Sequence, residues 1–271
     1  MRLAALTFLF AMMAAVSPTL AETPIRLYAA GSLRAALTEA ADVFRVTGGA
    51  PIEPVFGASG LLKDRIAGGE AADVFASANM EHPQALAAAD GRPVVLFTRN
   101  RLCALAQAGL GVNTDNLLDR LLDPAVRVGI STPKADPSGD YALALFRKAG
   151  ELRPGAAEAL DAKAMRLTGG PSSPKPPTDR SVYGLILEER RADIFLTYCT
   201  NAVQAARETS ELEAVSIPPE LAVGADYGLV ALGDRPEAAR LALFILSPEG
   251  QRVLARHGFE APLLPQDATA P

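Results

Sequence analysis

The chain has 271 residues, 49% of them hydrophobic, with 22 glycines, 21 prolines and no tryptophan. That length and apolar content suffice for a sizeable core, in one large domain or two smaller lobes. A formal net charge of −5 and an isoelectric point near 5.2 argue against an electrostatic grip on nucleic acid or on an anionic membrane.

Residues 1–21, "MRLAALTFLFAMMAAVSPTLA", combine one basic residue, Arg2, with an apolar run, Pro18 and a small-residue finish. This is the pattern of a secretory signal peptide cut before Glu22, and the apolar run is short for a membrane span. No cysteine stands at the cleavage point, so no lipid anchor is expected. The mature protein is expected in the periplasm as a soluble monomer.

The mature chain alternates strand and helix patterns. "IRLYAA" reads as a strand and "SLRAALTEAADVFRVTG" as a helix, with Leu33, Leu37, Ala41 and Phe44 at helical spacing. "PIEPVFGA" and "SGLLKDRIAGG" repeat the unit, and "ADVFASA" adds a third strand. This rhythm predicts an α/β fold with a parallel sheet. An extended stretch, "RPVVLFTRNRLCALAQ", follows, then a polar helix near "NTDNLLDRLLD" and a strand, "VRVGIS". A proline-rich loop, "TPKADPSG", leads into the helix "DYALALFRKAG". The insert over 169–180 lies within "LTGGPSSPKPPTDR" and reads as a loop. After it come the helix "SVYGLILEERR", the strand "ADIFLTYCT", a second long extended run, "LEAVSIPPELAVGADYGLVAL", and a last helical region over 235–259. The two long extended runs bracket the middle of the chain. They predict a discontinuous first lobe, 22–98 plus 222–271, and a continuous second lobe, 99–221, with a ligand cleft between them.

Two strands end in small residues followed by a serine that opens a helix: Ser32 and Ser59. Each serine either caps its own helix or presents its hydroxyl and the free helix amides to an anion in the cleft. Ser138, in "DPSG", and the start "DRSV" before Val182 repeat the arrangement, Asp179 or Ser181 serving as cap. A secreted serine hydrolase using Ser59 or Ser131 is the reading from another class. "GASGL" misplaces the first glycine of a nucleophile elbow, and "STPK" has no companion motif and contains Pro133. His82 and His257 have no ligand-spaced partners, so no metal centre is expected. Cys103 and Cys199 could pair in an exported chain or remain as two buried thiols.

"AAGSL", "FGASGLL", "ADVFASA", "LFTRNRL", "VGISTPKADPSGDYA", "ADIFLTYCTNA" and "LFILSPEGQRVLARHGF" together resemble, in order, the periplasmic molybdate-binding proteins of ABC importers. The resemblance covers nearly the whole mature chain. It implies a two-lobe type II periplasmic-binding fold without catalysis or cofactor, capturing molybdate or tungstate for delivery to a membrane permease. It implies ligands to the oxyanion from Ser32, Ser59, the backbone amide of Ser138, the backbone amide of Val182 and the hydroxyl of Tyr198. The chain departs from that pattern in its proline-rich insert, in Ser138 where alanine is usual, and in Asp140, an acid expected near the anion. Arg34 and Arg180 stand close in sequence to Ser32 and Val182, within reach of a carboxylate or phosphate. An iron-binding variant would want clustered tyrosines; Tyr141, Tyr183 and Tyr198 show no adjacent pair. The same scaffold holding another oxyanion or a small organic anion is the alternative within the class.

Overall fold

The computed structural model describes residues 23–174 and 180–262. The signal-peptide expectation and residues 175–179 of the proline-rich insert lie outside the described residues. Strand β1 (Ile25–Ala30) feeds helix α1 (Arg34–Val46) through one 3-10 turn, and β2 (Ile52–Gly57) feeds α2 (Ser59–Ala67). Strand β3 (Val74–Ser77) precedes a short helix, α3 (Glu81–Ala87). The long strand β4 (Val95–Gln107) crosses to the middle block of the chain. That block contains α4 (Leu117–Leu122), β5 (Val128–Ser131), α5 (Pro137–Leu152), α6 (Ala156–Lys163), β6 (Met165–Thr168), α7 (Val182–Glu188), β7 (Ile194–Tyr198), α8 (Cys199–Glu208) and β8 (Leu212–Ser216). The chain returns on β9 (Gly224–Ala231) and finishes with α9 (Pro236–Leu246) and α10 (Pro248–Arg256).

The strands lie in the order β2-β1-β3-β9-β4-β7-β5-β6, with β8 paired to β4 off that path. β1 pairs in parallel with β2 and β3, and β5 with β6 and β7. The parallel sheet expected from the strand–helix rhythm is present at β1–β3 and β5–β7, and antiparallel strands join the two parts at the centre. β9 runs antiparallel to β3 and to the first half of β4, and β7 and β8 run antiparallel to its second half. β4 therefore belongs to both halves of the molecule: Val95–Arg101 face β9, and Leu102–Ala106 face β7. The register explains the composition of "LCALAQ", which is buried on both faces and reads as a continuous apolar run.

Three local readings also change. "LEAVSIPPELAVGADYGLVAL" is split at Pro218-Pro219 into β8, a 3-10 turn and β9, because proline has no N–H for a ladder. The last helical region is two helices. Ser247 accepts a hydrogen bond from Gly250 N and caps α10, with Pro248 in its first turn. "YCT" leaves the strand at Tyr198, and Cys199 starts α8.

Cys103 on β4 and Cys199 on α8 form a disulfide with a Cα–Cα distance of 4.7 Å, spanning 96 residues. The sequence left this pairing open; the fold decides it, because Cys103 lies opposite Thr197 at the end of β7 and the chain turns into α8 directly after Tyr198, which brings Cys199 back over β4. A cluster of rings fills the junction of β4, β7 and β9. Tyr227 packs edge-on against Tyr198 at 5.6 Å and Phe259 at 5.6 Å, with Phe97 at 6.3 Å and Tyr141 6.2 Å from Tyr198.

Candidate functional site

β1 and β2 run parallel with Ala30 opposite Gly57, so the turns carrying Ser32 and Ser59 emerge side by side at one end of the sheet. Neither serine caps its own helix. Ser32 Oγ lies 2.9 Å from Tyr227 Oη, and Ser59 Oγ accepts from the Ala78 amide at 3.1 Å. Each hydroxyl is thus held from behind by the protein core. From the opposite half, α5 and α7 start after β5 and β6, and Tyr198 ends β7. The two groups of segments enclose a cavity of about 530 Å³.

Ser32, Ser59, Val182 and Tyr198 all line this cavity. Tyr198 is 2% exposed, and among the described residues its hydroxyl has no hydrogen-bond partner. Burial raises its pKa well above the ordinary phenol value, so it keeps its proton and remains a donor. Ser181 accepts from Gly184 N at 3.4 Å and caps α7, which sets Val182 at the helix start beside the cavity.

Ser138 is not brought to the cavity wall. It is fully buried, its hydroxyl is unpartnered among the described residues, and its amide donates to Asp136 Oδ1 at 3.1 Å. The donor assigned to an anion is occupied by a neighbouring side chain, because Asp-Pro at a helix start makes aspartate the N-cap and proline the first helical residue. Asp140 also lies elsewhere than expected: both its oxygens accept from Lys134 N, at 3.0 and 3.1 Å. Three acids line the cavity: Glu39, which pairs with Arg256 and His257, Asp42, which is exposed, and Asp136. Burial pushes the Asp136 carboxyl up to about 6, and hydrogen bonds from the Ser138 amide and the Ser131 hydroxyl oppose that rise. The motif "ADPSGD" carried the signal for this residue, as a cap followed by Pro.

Arg34 and Arg180 both line the cavity. Arg180 pairs with Glu188 at 2.6 Å. The Arg34 guanidinium lies 4.8 Å over the Phe56 ring, and among the described residues no ion pair holds it. Partial burial pulls its pKa below the usual arginine value. Neither hydrolase candidate is hydrogen-bonded to a histidine among the described residues: Ser59 is bonded to a backbone amide, and Ser131 Oγ lies 3.0 Å from Thr168 Oγ1 beside the Asp136 carboxylate. Among the described residues no group of three His, Cys, Asp or Glu side chains could hold a metal ion.

A cavity between two α/β halves joined by crossing strands, lined by helix starts and hydroxyls, is the arrangement of a two-lobe binding protein. The chain belongs to the bacterial extracellular solute-binding protein family, which matches residues 25–260. An uncharacterised protein of Pasteurella multocida is 40% identical over 238 residues, covering 87% of this chain and 98% of that one. Among solved structures, the sulfate-binding protein SubI of Mycobacterium tuberculosis superposes with a TM-score of 0.73 at 18% identity, covering 89% of this chain and 87% of that one. The periplasmic molybdate-binding protein of Azotobacter vinelandii gives 0.67 at 18%, covering 88% and 100%. The periplasmic binding protein AfuA of Actinobacillus pleuropneumoniae, with fructose 6-phosphate bound, gives 0.65 at 15%, covering 88% and 84%. At these identities the solved structures establish the shared two-lobe fold.

Proposed function

We propose that the protein is the periplasmic capture subunit of an ABC importer, a monomer that holds one small anion in this cleft and presents it to a membrane permease. The Tyr198 hydroxyl carries the reading. It is a buried donor without a partner among the described residues, on a wall shared with Ser32, Ser59 and the start of α7. A buried polar group left unmade costs about 1–3 kcal/mol, and a ligand oxygen would recover it. The Cys103–Cys199 disulfide supports export, since such bonds persist in oxidising compartments.

Molybdate or tungstate is the ligand that the sequence resemblance implies, and a ring of neutral donors suits a dianion stripped of water. Asp136 favours the second reading, a small organic anion, because a carboxylate in the wall repels a bare dianion. The proteins that share the fold are described with ligands as unlike as sulfate and fructose 6-phosphate, so the fold leaves this choice to the side chains.

Calorimetric titration of the ligand-stripped mature chain with molybdate, tungstate, sulfate, phosphate and 3-phosphoglycerate tests the capture reading. Ser32→Ala and Ser59→Ala are each expected to weaken the best of these by about 1–3 kcal/mol, roughly 5- to 150-fold, the cost of an unmade hydrogen bond to a charged group. Equal affinity in both variants would remove these serines from the site.

A further inference from the structure

Resting on the anion-capture reading, we infer that the ligand is a hydroxyl-bearing organic anion, its charged group met by Arg34 on one wall of the cleft and a hydroxyl donated to Asp136 on the other. The two residues come from opposite halves: Arg34 opens α1 behind β1, and Asp136 caps α5 behind β5. Both line the one cavity.

Arg34 is set up to receive an anion. It packs over Phe56 at 4.8 Å, and among the described residues it has no carboxylate partner. An arginine fork matches a carboxylate or a phosphate with two parallel hydrogen bonds.

Asp136 sets the second requirement. An ionised carboxylate only accepts hydrogen bonds. Sulfate and molybdate at neutral pH also only accept, so either would bring like-charged oxygens together. A ligand hydroxyl supplies the missing proton. The carboxylate cannot readily swing away. Its Oδ1 is tied to the Ser138 amide, and Gly169, at φ +74°, packs so closely that a Cβ there would stand 2.6 Å from Oδ2. The phenols of Tyr183 and Tyr198 line the same cavity, and burial raises the pKa of both, so each keeps its proton. Of the other two acids in the lining, Glu39 is held by Arg256 and His257 and Asp42 is exposed, so Asp136 is the acceptor set among these donors, the complement of a group that carries both oxyanion and hydroxyl. A cavity of about 530 Å³ also falls within the range of about 300–1,000 Å³ that holds small organic ligands.

Asp136→Asn is the decisive variant, since asparagine caps a helix as well as aspartate does and keeps the shape. Titrations at pH 7.5 would compare sulfate and molybdate with glycerate, 3-phosphoglycerate and 6-phosphogluconate, in the parent, Asp136→Asn and Arg34→Gln, with thermal melts to establish folding. At least one hydroxylated probe is expected to bind the parent tenfold or more tighter than sulfate or molybdate, and to lose tenfold or more in each variant. Sulfate is expected to gain tenfold or more in Asp136→Asn, and a gain from a silent parent counts equally. Lowering the pH from 7.5 to 5 should strengthen sulfate binding to the parent and not to Asp136→Asn, because sulfate keeps its charge there while the Asp136 carboxyl, pushed up to about 6 by burial, takes up a proton. Asp140 on the same helix, Ser131 on β5, and Tyr183 and Tyr198 on α7 and β7 face that carboxyl and are unchanged in the variant. Molybdate or sulfate binding the parent as tightly as any hydroxylated probe, with Asp136→Asn without effect, would overturn the inference and leave anion capture standing. No binding of any probe to parent or variant would overturn both.

Discussion

Gly60→Ala is expected to weaken ligand binding at least about 30-fold, roughly 2 kcal/mol, and to lower the melting temperature of the empty protein by about 2–4 °C, the cost of about one lost hydrogen bond. Gly60 sits in the first turn of α2, and its amide donates to the Ala135 carbonyl at 2.8 Å, across to the segment that leads into Asp136 and α5. A Cβ at Gly60 would lie 2.3 Å from the Lys134 carbonyl oxygen and 2.7 Å from that of Ala135. Both obstacles are backbone, so neither can rotate aside as a side-chain tip would. The 134–136 segment would have to withdraw, breaking the hydrogen bond and carrying Asp136 away from the cavity. The Tyr141 hydroxyl, which donates to the Ala78 carbonyl at 3.2 Å, ties the same two walls and would lengthen with it. The apolar cores on either side do not include this contact, which is why the loss of stability should stay small. Titration with the tightest of the probes above, beside a thermal melt, reads both quantities. Undiminished affinity would mean that this contact is not part of the ligand-holding state.

Removing the disulfide, as Cys103→Ser with Cys199→Ser, is expected to lower the melting temperature by about 10 °C. Loop-closure entropy for a bridge of this span is about 4–5 kcal/mol, of which measured disulfides deliver about 2–4. A chain of this size shifts by about 2–4 °C for each kcal/mol. The bond also fixes the residue after Tyr198 to β4, so the double variant should weaken anion binding beyond its effect on stability. Scanning calorimetry of the parent with and without a thiol reductant should reproduce the variant's shift. A change under about 2 °C in both experiments would show that the unfolded chain gains little freedom from losing the bridge.

Much of the first half was legible because its signals are local. The strand–serine–helix units at Ser32 and Ser59 follow from an apolar run, a small-residue turn and helical spacing, and the structure places them at 25–46 and 52–67 as β1–α1 and β2–α2. Short elements were less legible. α3 and α6 have seven and eight residues, too few to establish a period against their surroundings. α8 was hidden because its first residues, Cys199 and Thr200, continue the apolar pattern of β7.

The candidate site divides in the same way. A serine after a strand and an aspartate before a proline are visible in the sequence, but a hydroxyl's partner is not. Ser32 leans on Tyr227, 195 residues away, and Ser59 on Ala78, 19 residues away. Ser138 shows the reverse: a two-residue local bond from its amide to Asp136 removed a donor that motif matching had assigned to a ligand.

The sequence by itself determined the α/β alternation, the turns that open helices at Ser32, Ser59 and Val182, and the family resemblance, because these rest on hydrophobic period and turn chemistry within a few residues. Only the tertiary structure decided the antiparallel return of β9, the pairing of Cys103 with Cys199, the exposure of Asp136 instead of Asp140 to the cavity, and the approach of Gly60 to Ala135. Each depends on segments distant in the chain meeting at one point, and the free energy of such a meeting belongs to the packed whole rather than to any stretch of it.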